Sequence, residues 1–212
     1  MNTSKAAFIQ LAIDNQVLKF GNFKLKSGRQ SPYFFNAGAF FQGEALKKVG
    51  EMYAKTIIDS QIQFDHLFGP AYKGLPLATT TAVALAQAGI NTTVTFNRKE
   101  TKAHGEGGVL MGAPLTGKTL IIDDVITAGT AFREAKQLIE AEGGTVSAVV
   151  IAFDRCERGV SDQSTLKEIE NQGIRVLSMI ALTDLINYLE SMGEIAQCNL
   201  IKQYYQQYGC LS

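Results

Sequence analysis

The sequence predicts an α/β fold: a doubly wound, mostly parallel sheet flanked by helices, with a small N-terminal subdomain of one helix and short antiparallel strands. Three observations predict it. From Glu44 onward, short apolar runs alternate with segments of helical spacing, the pattern of parallel strands joined by crossover helices. Between Leu18 and Gly38 the runs alternate polar with apolar and are broken by Gly-Asn, Ser-Gly and Ser-Pro, which suits small antiparallel strands rather than a parallel sheet. The 212 residues are enough for one such domain with a minor subdomain, and no repeat, low-complexity tract or linker divides them.

Taken in order, Ser4 is placed to cap a first helix with Phe8, Leu11 and Ala12 on one face. The strand-rich stretch 18–38 follows. Leu46, Val49, Tyr53 and Ile57 then keep helical spacing, and His66 to Pro70 reads as a short buried strand ending in a turn. A helix through LATTTAVALAQAG, a strand TTVTF and a polar, glycine-bearing loop over 97–108 come next. Strand TLIID, a helix from about Gly129 to Ala141, strand TVSAVVIAFD, a helix over 165–171, strand IRVLSMIA and two C-terminal helices complete the chain.

Lys+Arg and Asp+Glu are both 20, so the net charge is zero, and neither a nucleic acid nor a membrane surface is expected as a partner through bulk electrostatics. The N-terminus lacks the apolar core of a secretory signal, and no run approaches the roughly 20 apolar residues of a membrane span. Cys156, Cys198 and Cys210 have spacings that suit no metal site and read as reduced thiols of a cytoplasmic protein.

Two adjoining stretches offer to hold a phosphate. Residues 112–119, GAPLTGKT, match the pattern of a nucleoside-triphosphate loop, but that loop must leave a strand and open a helix. Here Gly117, Lys118 and Thr119 lead into a strand, so the match falls at the wrong end of the sheet and reads as a turn. The stretch LIIDDVITAGTA from Leu120 has the required order. An apolar strand ends at Asp123 and Asp124, and Val125 and Ile126 lead to a small-residue turn, Thr127, Ala128, Gly129 and Thr130, that starts a helix continuing through Ala131. Backbone amides converging there suit a phosphate, with two threonine hydroxyls as further donors. The adjacent carboxylates would repel a phosphate and suit vicinal sugar hydroxyls instead, so a ribose 5-phosphate fits the stretch. Capping of the next helix is the alternative for Asp123 and Asp124, but they stand too far ahead of it.

LIIDDVITAGTA resembles the phosphoribosyl-diphosphate signature of the type I phosphoribosyltransferases. The rest narrows the resemblance to the orotate-using family of bacterial and fungal kind: LKFGNFKLKSGRQSPYFFNAG is similar to its N-terminal hood, FGPAYKG to its diphosphate loop and NRKETKAHGEGG to its mobile catalytic loop. This resemblance implies transfer of the 5-phosphoribosyl group of phosphoribosyl diphosphate to orotate, giving orotidine 5′-phosphate and diphosphate on the route to UMP. It also implies a homodimer sharing active sites, and Mg²⁺ held mainly by diphosphate and ribose, with Asp124 touching it through water and no side chain ligating it directly.

Residue by residue, the resemblance assigns Lys26, Tyr72, Lys73, Arg98, Lys99, Lys102, His104 and the run 123–131 to phosphoribosyl diphosphate. It assigns Lys26, Phe34, Phe35, Thr127 and Arg155 to orotate. Lys102, His104, Asp123 and Asp124 are the catalytic candidates. The chemistry is compatible: cations on a glycine-bearing loop can meet an anionic leaving group, flat aromatic faces suit a pyrimidine, and a guanidinium at a strand end can fork onto a carboxylate. His66, inside FDHLFG, is expected to be a packed strand residue. A purine-using relative would share LIIDDVITAGTA but need not carry Lys26 or Arg155. A non-enzymatic sensor of the same ligand would need a nucleic-acid surface that the charge balance does not offer.

Overall fold

The structure is a computed structural model and describes residues 3–25, 27–102, 108–159 and 163–210, with Thr101 and Lys102 described as backbone alone. Helix α1 (Thr3–Asp14) packs Phe8, Ile9, Leu11 and Ala12 inward. It begins at Thr3, so Ser4 lies within its first turn instead of capping it. Strands β1 (Leu18–Lys24) and β2 (Gln30–Phe35) form a separate antiparallel hairpin, with Leu18 opposite Phe35. Helix α2 (Gly43–Ser60) then leads to β3 (His66–Gly69), α3 (Gly74–Gln87) and β4 (Thr93–Lys102). After β5 (Gly108–Gly112) come β6 (Gly117–Asp123), α4 (Thr130–Ala141), β7 (Gly144–Asp154), α5 (Thr165–Glu170), β8 (Arg175–Ala181), α6 (Leu182–Ser191) and α7 (Ile195–Tyr208).

The main sheet has the order β5-β4-β3-β6-β7-β8. Its strands are parallel except β5, which returns antiparallel along β4 at the edge. The apolar runs serve two layers because successive strand residues face opposite sides. Leu67, Leu120, Ile122 and Val150 join the core beneath α1, α2, α3 and α6, while Phe68, Ile121, Val149 and Ile151 join a second core beneath α4 and α5. The hairpin docks on the first core through Tyr33 and Phe35, whose rings stand 5.7 and 5.4 Å from Phe153.

One element departs from the sequence expectation. The polar stretch after Phe96 is strand as far as Lys102, and Gly108–Gly112 is its hairpin partner. Beyond Phe96 the strand runs past its β3 partner, so Arg98, Lys99 and Glu100 can occupy it without an apolar pattern to reveal it. Among the described residues no helix is long and apolar enough to cross a membrane.

Candidate active site at the sheet's switch point

From β3 the chain moves outward to β4, and from β6 it moves the other way to β7 and β8. The carboxyl ends of β3 and β6 therefore flank the point where strand order reverses, where open α/β sheets leave a crevice for ligands. The loop after β3 carries Tyr72 and Lys73, and the loop after β6 carries Asp124 and the run to Thr130.

The two loops meet. Lys73 Nζ donates to Asp124 Oδ2 at 2.7 Å, with Asp124 only 4 % exposed. The second Asp124 oxygen accepts the Val125 amide at 2.9 Å, and Asp123 Oδ1 accepts the Asp124 amide at 2.8 Å. Neither carboxylate caps α4: its N-cap is Gly129, with no side-chain bond there. Burial, with the neighbouring Asp124 charge adding to it, pushes the Asp123 carboxyl up to about 7. Tyr53, on α2, donates its hydroxyl to the Asp123 carbonyl at 2.7 Å and so fixes the strand end from below.

Beyond the carboxylates, Thr127, Ala128, Thr130 and Ala131 are exposed and Gly129 is buried. Thr165 Oγ1 donates to the Thr127 carbonyl at 2.6 Å, and Arg133 Nη2 donates to the Ala128 carbonyl at 2.7 Å. These bonds hold the carbonyls, and the turn opens α4, whose first amides have no partner within the helix. Gly129 has φ +74°, and a Cβ there would stand 2.8 Å from Thr165 Cγ2. Val125 packs on the first core and Ile126 on the second, which anchors the start of the turn to both layers.

The loop over 69–74 is braced by Asn97, whose Oδ1 accepts the Ala71 amide at 2.7 Å. Its glycines serve backbone packing: a Cβ on Gly69 would lie 2.5 Å from the Gly74 carbonyl oxygen. The tight turn leaves Tyr72 63 % exposed, with the Lys99 ammonium 5.1 Å above its ring. The loop after β3 thus presents a cation to Asp124, and β4 presents one to the Tyr72 ring. Arg98 and Lys99 are adjacent on a strand and so face opposite sides.

Lys118 lies at the other end of the sheet. Its amide and carbonyl bond Asp65 at the approach to β3 and β6, at 2.8 and 2.7 Å. His66 is there too, its ring between the Thr93 hydroxyl and the Thr116 carbonyl, a structural position as expected.

The aromatic pair expected to cover a planar base divides. Phe35 is 4 % exposed, its ring in the core 6.4 Å from Phe8, so it offers no face to a ligand. Phe34 points to the opposite side of β2, partly exposed and stacked on Phe23 at 5.5 Å. Strand alternation forbids both rings from covering one ligand. Arg155 directly follows the last residue of β7, and its guanidinium already holds a carboxylate: Nε donates to Glu157 Oε1 at 2.8 Å. Lys26 and His104 lie outside the described residues, and Lys102 is placed only as the last residue of β4. Among the described residues no group of three or more His, Cys, Asp or Glu side chains is arranged to hold a metal ion.

A phosphoribosyl transferase domain profile matches residues 36–178, which include both loops of the switch point. The orotate phosphoribosyltransferase of Legionella pneumophila (strain Paris) is 60 % identical over 209 residues, covering 99 % of this chain and 100 % of that protein. That of Vibrio cholerae is 51 % identical over 212 residues, again over 99 % of this chain and 100 % of the relative. The chain belongs to the orotate phosphoribosyltransferase family. Among solved structures, the orotate phosphoribosyltransferase of Francisella tularensis superposes with a TM-score of 0.86 at 42 % identity, covering 96 % of this chain and 99 % of that one. Its extent includes the β1–β2 hairpin, so this orotate phosphoribosyltransferase relative shares the N-terminal subdomain as well as the sheet. A Mycobacterium tuberculosis orotate phosphoribosyltransferase in complex with 5-phospho-α-D-ribosyl 1-diphosphate shares the fold, with a TM-score of 0.67 at 21 % identity over 86 % of this chain and 98 % of that one.

Proposed function

We propose that this chain transfers the 5-phosphoribosyl group of phosphoribosyl diphosphate to orotate, forming orotidine 5′-phosphate and diphosphate in UMP biosynthesis. The observation that carries the reading is the meeting of Asp124 and Lys73 at the switch point, with the 127–130 turn beside them. One place offers hydroxyl acceptors, a cation and free helix amides, the complement of a phosphorylated ribose bearing a diphosphate.

In this reading the amides and hydroxyls of 127–131 take the 5-phosphate, and Asp123 and Asp124 take the ribose hydroxyls. A pyrimidine nitrogen attacks the ribosyl carbon as the bond to diphosphate breaks, inverting that carbon. The sugar becomes cation-like in the transition state, and the carboxylates of Asp123 and Asp124 favour that charge. Negative charge grows on the leaving diphosphate, where Lys73, Lys99 and Lys102 converge and His104 donates a hydrogen bond or a proton. Fixed charges aimed at charge that develops in the transition state are commonly the largest catalytic contribution. Arg155, Thr127 and Lys26 orient orotate, with Phe34 the aromatic face of β2 turned outward.

The carboxylates of Asp123 and Asp124 are hard oxygen donors of the kind Mg²⁺ takes. With Asp124 beside it, a bound Mg²⁺ would neutralise part of the diphosphate charge. In this reading the chain works as a homodimer whose subunits share active sites. The chain acts in the cytoplasm in this reading, where its three cysteines stay reduced.

The test is consumption of orotate dependent on phosphoribosyl diphosphate and magnesium, followed by release of diphosphate. Orotate should be used and adenine, guanine and hypoxanthine should not. Turnover of a purine base in place of orotate would overturn the assignment.

A further inference from the structure

Glu157 is the hub of a charged cluster that ties together three separate parts of the chain. Its Oε1 accepts from Arg155 Nε at 2.8 Å, lies 2.6 Å from Arg155 Nη2, and accepts the Tyr204 hydroxyl at 2.8 Å. Its Oε2 accepts from Arg29 Nη1 at 3.1 Å. Arg29 belongs to the turn of the β1–β2 hairpin, Arg155 to the end of β7 and Tyr204 to α7. Arg155 is 8 % exposed, and its guanidinium is stacked 4.6 Å over the Tyr33 ring.

Such a buried arrangement is poor value as a stabiliser, because desolvation of the charges offsets most of their attraction. What it does well is fix orientation. A guanidinium held along its Nε–Nη2 edge and stacked on a ring cannot rotate, and none of these contacts uses Nη1. Two guanidiniums and one carboxylate also leave the cluster one positive charge in excess, the charge that an incoming carboxylate would meet.

We propose that Glu157 is a positioning residue that locks Arg155 in the orientation that receives the carboxylate of the base, and that Arg29 and Tyr204 hold Glu157 in turn. The inference rests on the reading of Arg155 as the partner of the orotate carboxylate. It gives α7 a part in base recognition, through Tyr204, although that helix lies beyond the end of the matched family domain at residue 178. Glu157→Gln keeps the side chain's shape and removes its charge. The two guanidiniums then repel without a mediator, and Arg155 loses its fixed setting.

The experiment measures KM for orotate, KM for phosphoribosyl diphosphate and kcat in the full chain. The variants are Glu157→Gln, Arg155→Ala and their double mutant, with Tyr204→Phe as a milder probe. Glu157→Gln should raise the orotate KM about tenfold, the loss expected for a hydrogen bond to a charged group. The other KM and kcat should stay within about twofold. Tyr204→Phe should raise the orotate KM less, and it tests the same claim should Glu157→Gln not fold. A residue that acts only through Arg155 adds nothing once Arg155 is gone, so the double mutant should match Arg155→Ala. Additive losses, an unchanged orotate KM, or equal rises in both KM values would overturn the proposal. Absence of orotate turnover by the unaltered chain, or an orotate KM insensitive to Arg155→Ala, would instead overturn the functional reading beneath it.

Discussion

Lys73 and Asp124 are 51 residues apart in sequence and form a 2.7 Å ion pair across the gap between the ends of β3 and β6. The lysine side chain is 44 % exposed and the aspartate side chain 6 %. The pair is thus a buried carboxylate reached by a cation from the solvent side. Under the proposed function, a diphosphate would offer Lys73 a stronger anion and release Asp124 for the ribose, which would couple ligand binding to exposure of that carboxylate through one contact.

Asp124→Asn tests this directly. The amide retains an oxygen for the Val125 amide but loses the charge that meets Lys73 and the sugar. The expected result is a fall in kcat/KM on the order of 10²–10³-fold, the scale of removing one preorganised electrostatic contact. Circular dichroism should report an unchanged fold. Retained turnover would remove Asp124 from the ribose site.

Asp123 gives a pH dependence with a defined sign. Its carboxyl rises from an ordinary 3.8 to about 7 because folding buries it beside another acid. Between those values the folded chain holds a proton that the unfolded chain has lost. The contribution to stability is therefore full below pH 3.8 and falls as pH climbs to about 7, then levels off. Asp123→Asn removes the titration, so the variant should gain Tm relative to the unaltered chain at pH 8 and little at pH 4.5. Thermal unfolding across that range checks it; a constant Tm difference would contradict the shifted carboxyl.

Much of the fold was legible because the inner strands are buried on both faces and read as unbroken apolar runs, Leu120–Ile122 most clearly. Their order along the chain also placed the 127–130 turn at the carboxyl end of β6, beside the switch point. What escaped notice lacked an apolar signature or depended on distant partners. The strand through Arg98 and Lys99 is charged because it lies near an exposed edge. Tyr53 reaches the Asp123 carbonyl across 70 residues, and Arg29 reaches Glu157 across 128. Helical spacing marked Tyr53 as core without revealing that its hydroxyl fixes the site. Phe35 was assigned to the ligand with Phe34, yet alternation along a docked strand sends it into the core.

Gly129→Ala addresses the turn proposed to receive the 5-phosphate. The position has φ +74°, and an added Cβ would meet Thr165 Cγ2 at 2.8 Å and Arg133 Nη1 at 2.9 Å. Left-handed backbone costs a residue with a Cβ about 1–2 kcal/mol, which for a chain of this size is a fall in Tm of about 2–8 °C. Any relief by moving Thr165 or Arg133 releases the Thr127 or Ala128 carbonyl and loosens the turn. KM for phosphoribosyl diphosphate should therefore rise with the loss of stability. A variant with lowered Tm and an unchanged KM would show that the turn's setting does not govern phosphate binding.

Two lysines separate the competing phosphate sites. Lys118 belongs to the stretch that matches a nucleoside-triphosphate loop, but it stands where β6 begins, bonded through its backbone to Asp65. Lys102 ends β4, the strand whose Lys99 reaches over Tyr72 toward the switch point. Lys118→Ala keeps the backbone bonds and removes a side chain remote from the reaction, so kcat and both KM values should stay within about twofold, as for an ordinary surface substitution. Lys102→Ala removes a cation assigned to the departing diphosphate, so kcat should fall by about 10²-fold or more with KM changed far less. Steady-state kinetics on both variants decides between the ends of the sheet. A large loss from Lys118→Ala, with Lys102→Ala near normal, would move the phosphate site to the wrong end and overturn the mechanism.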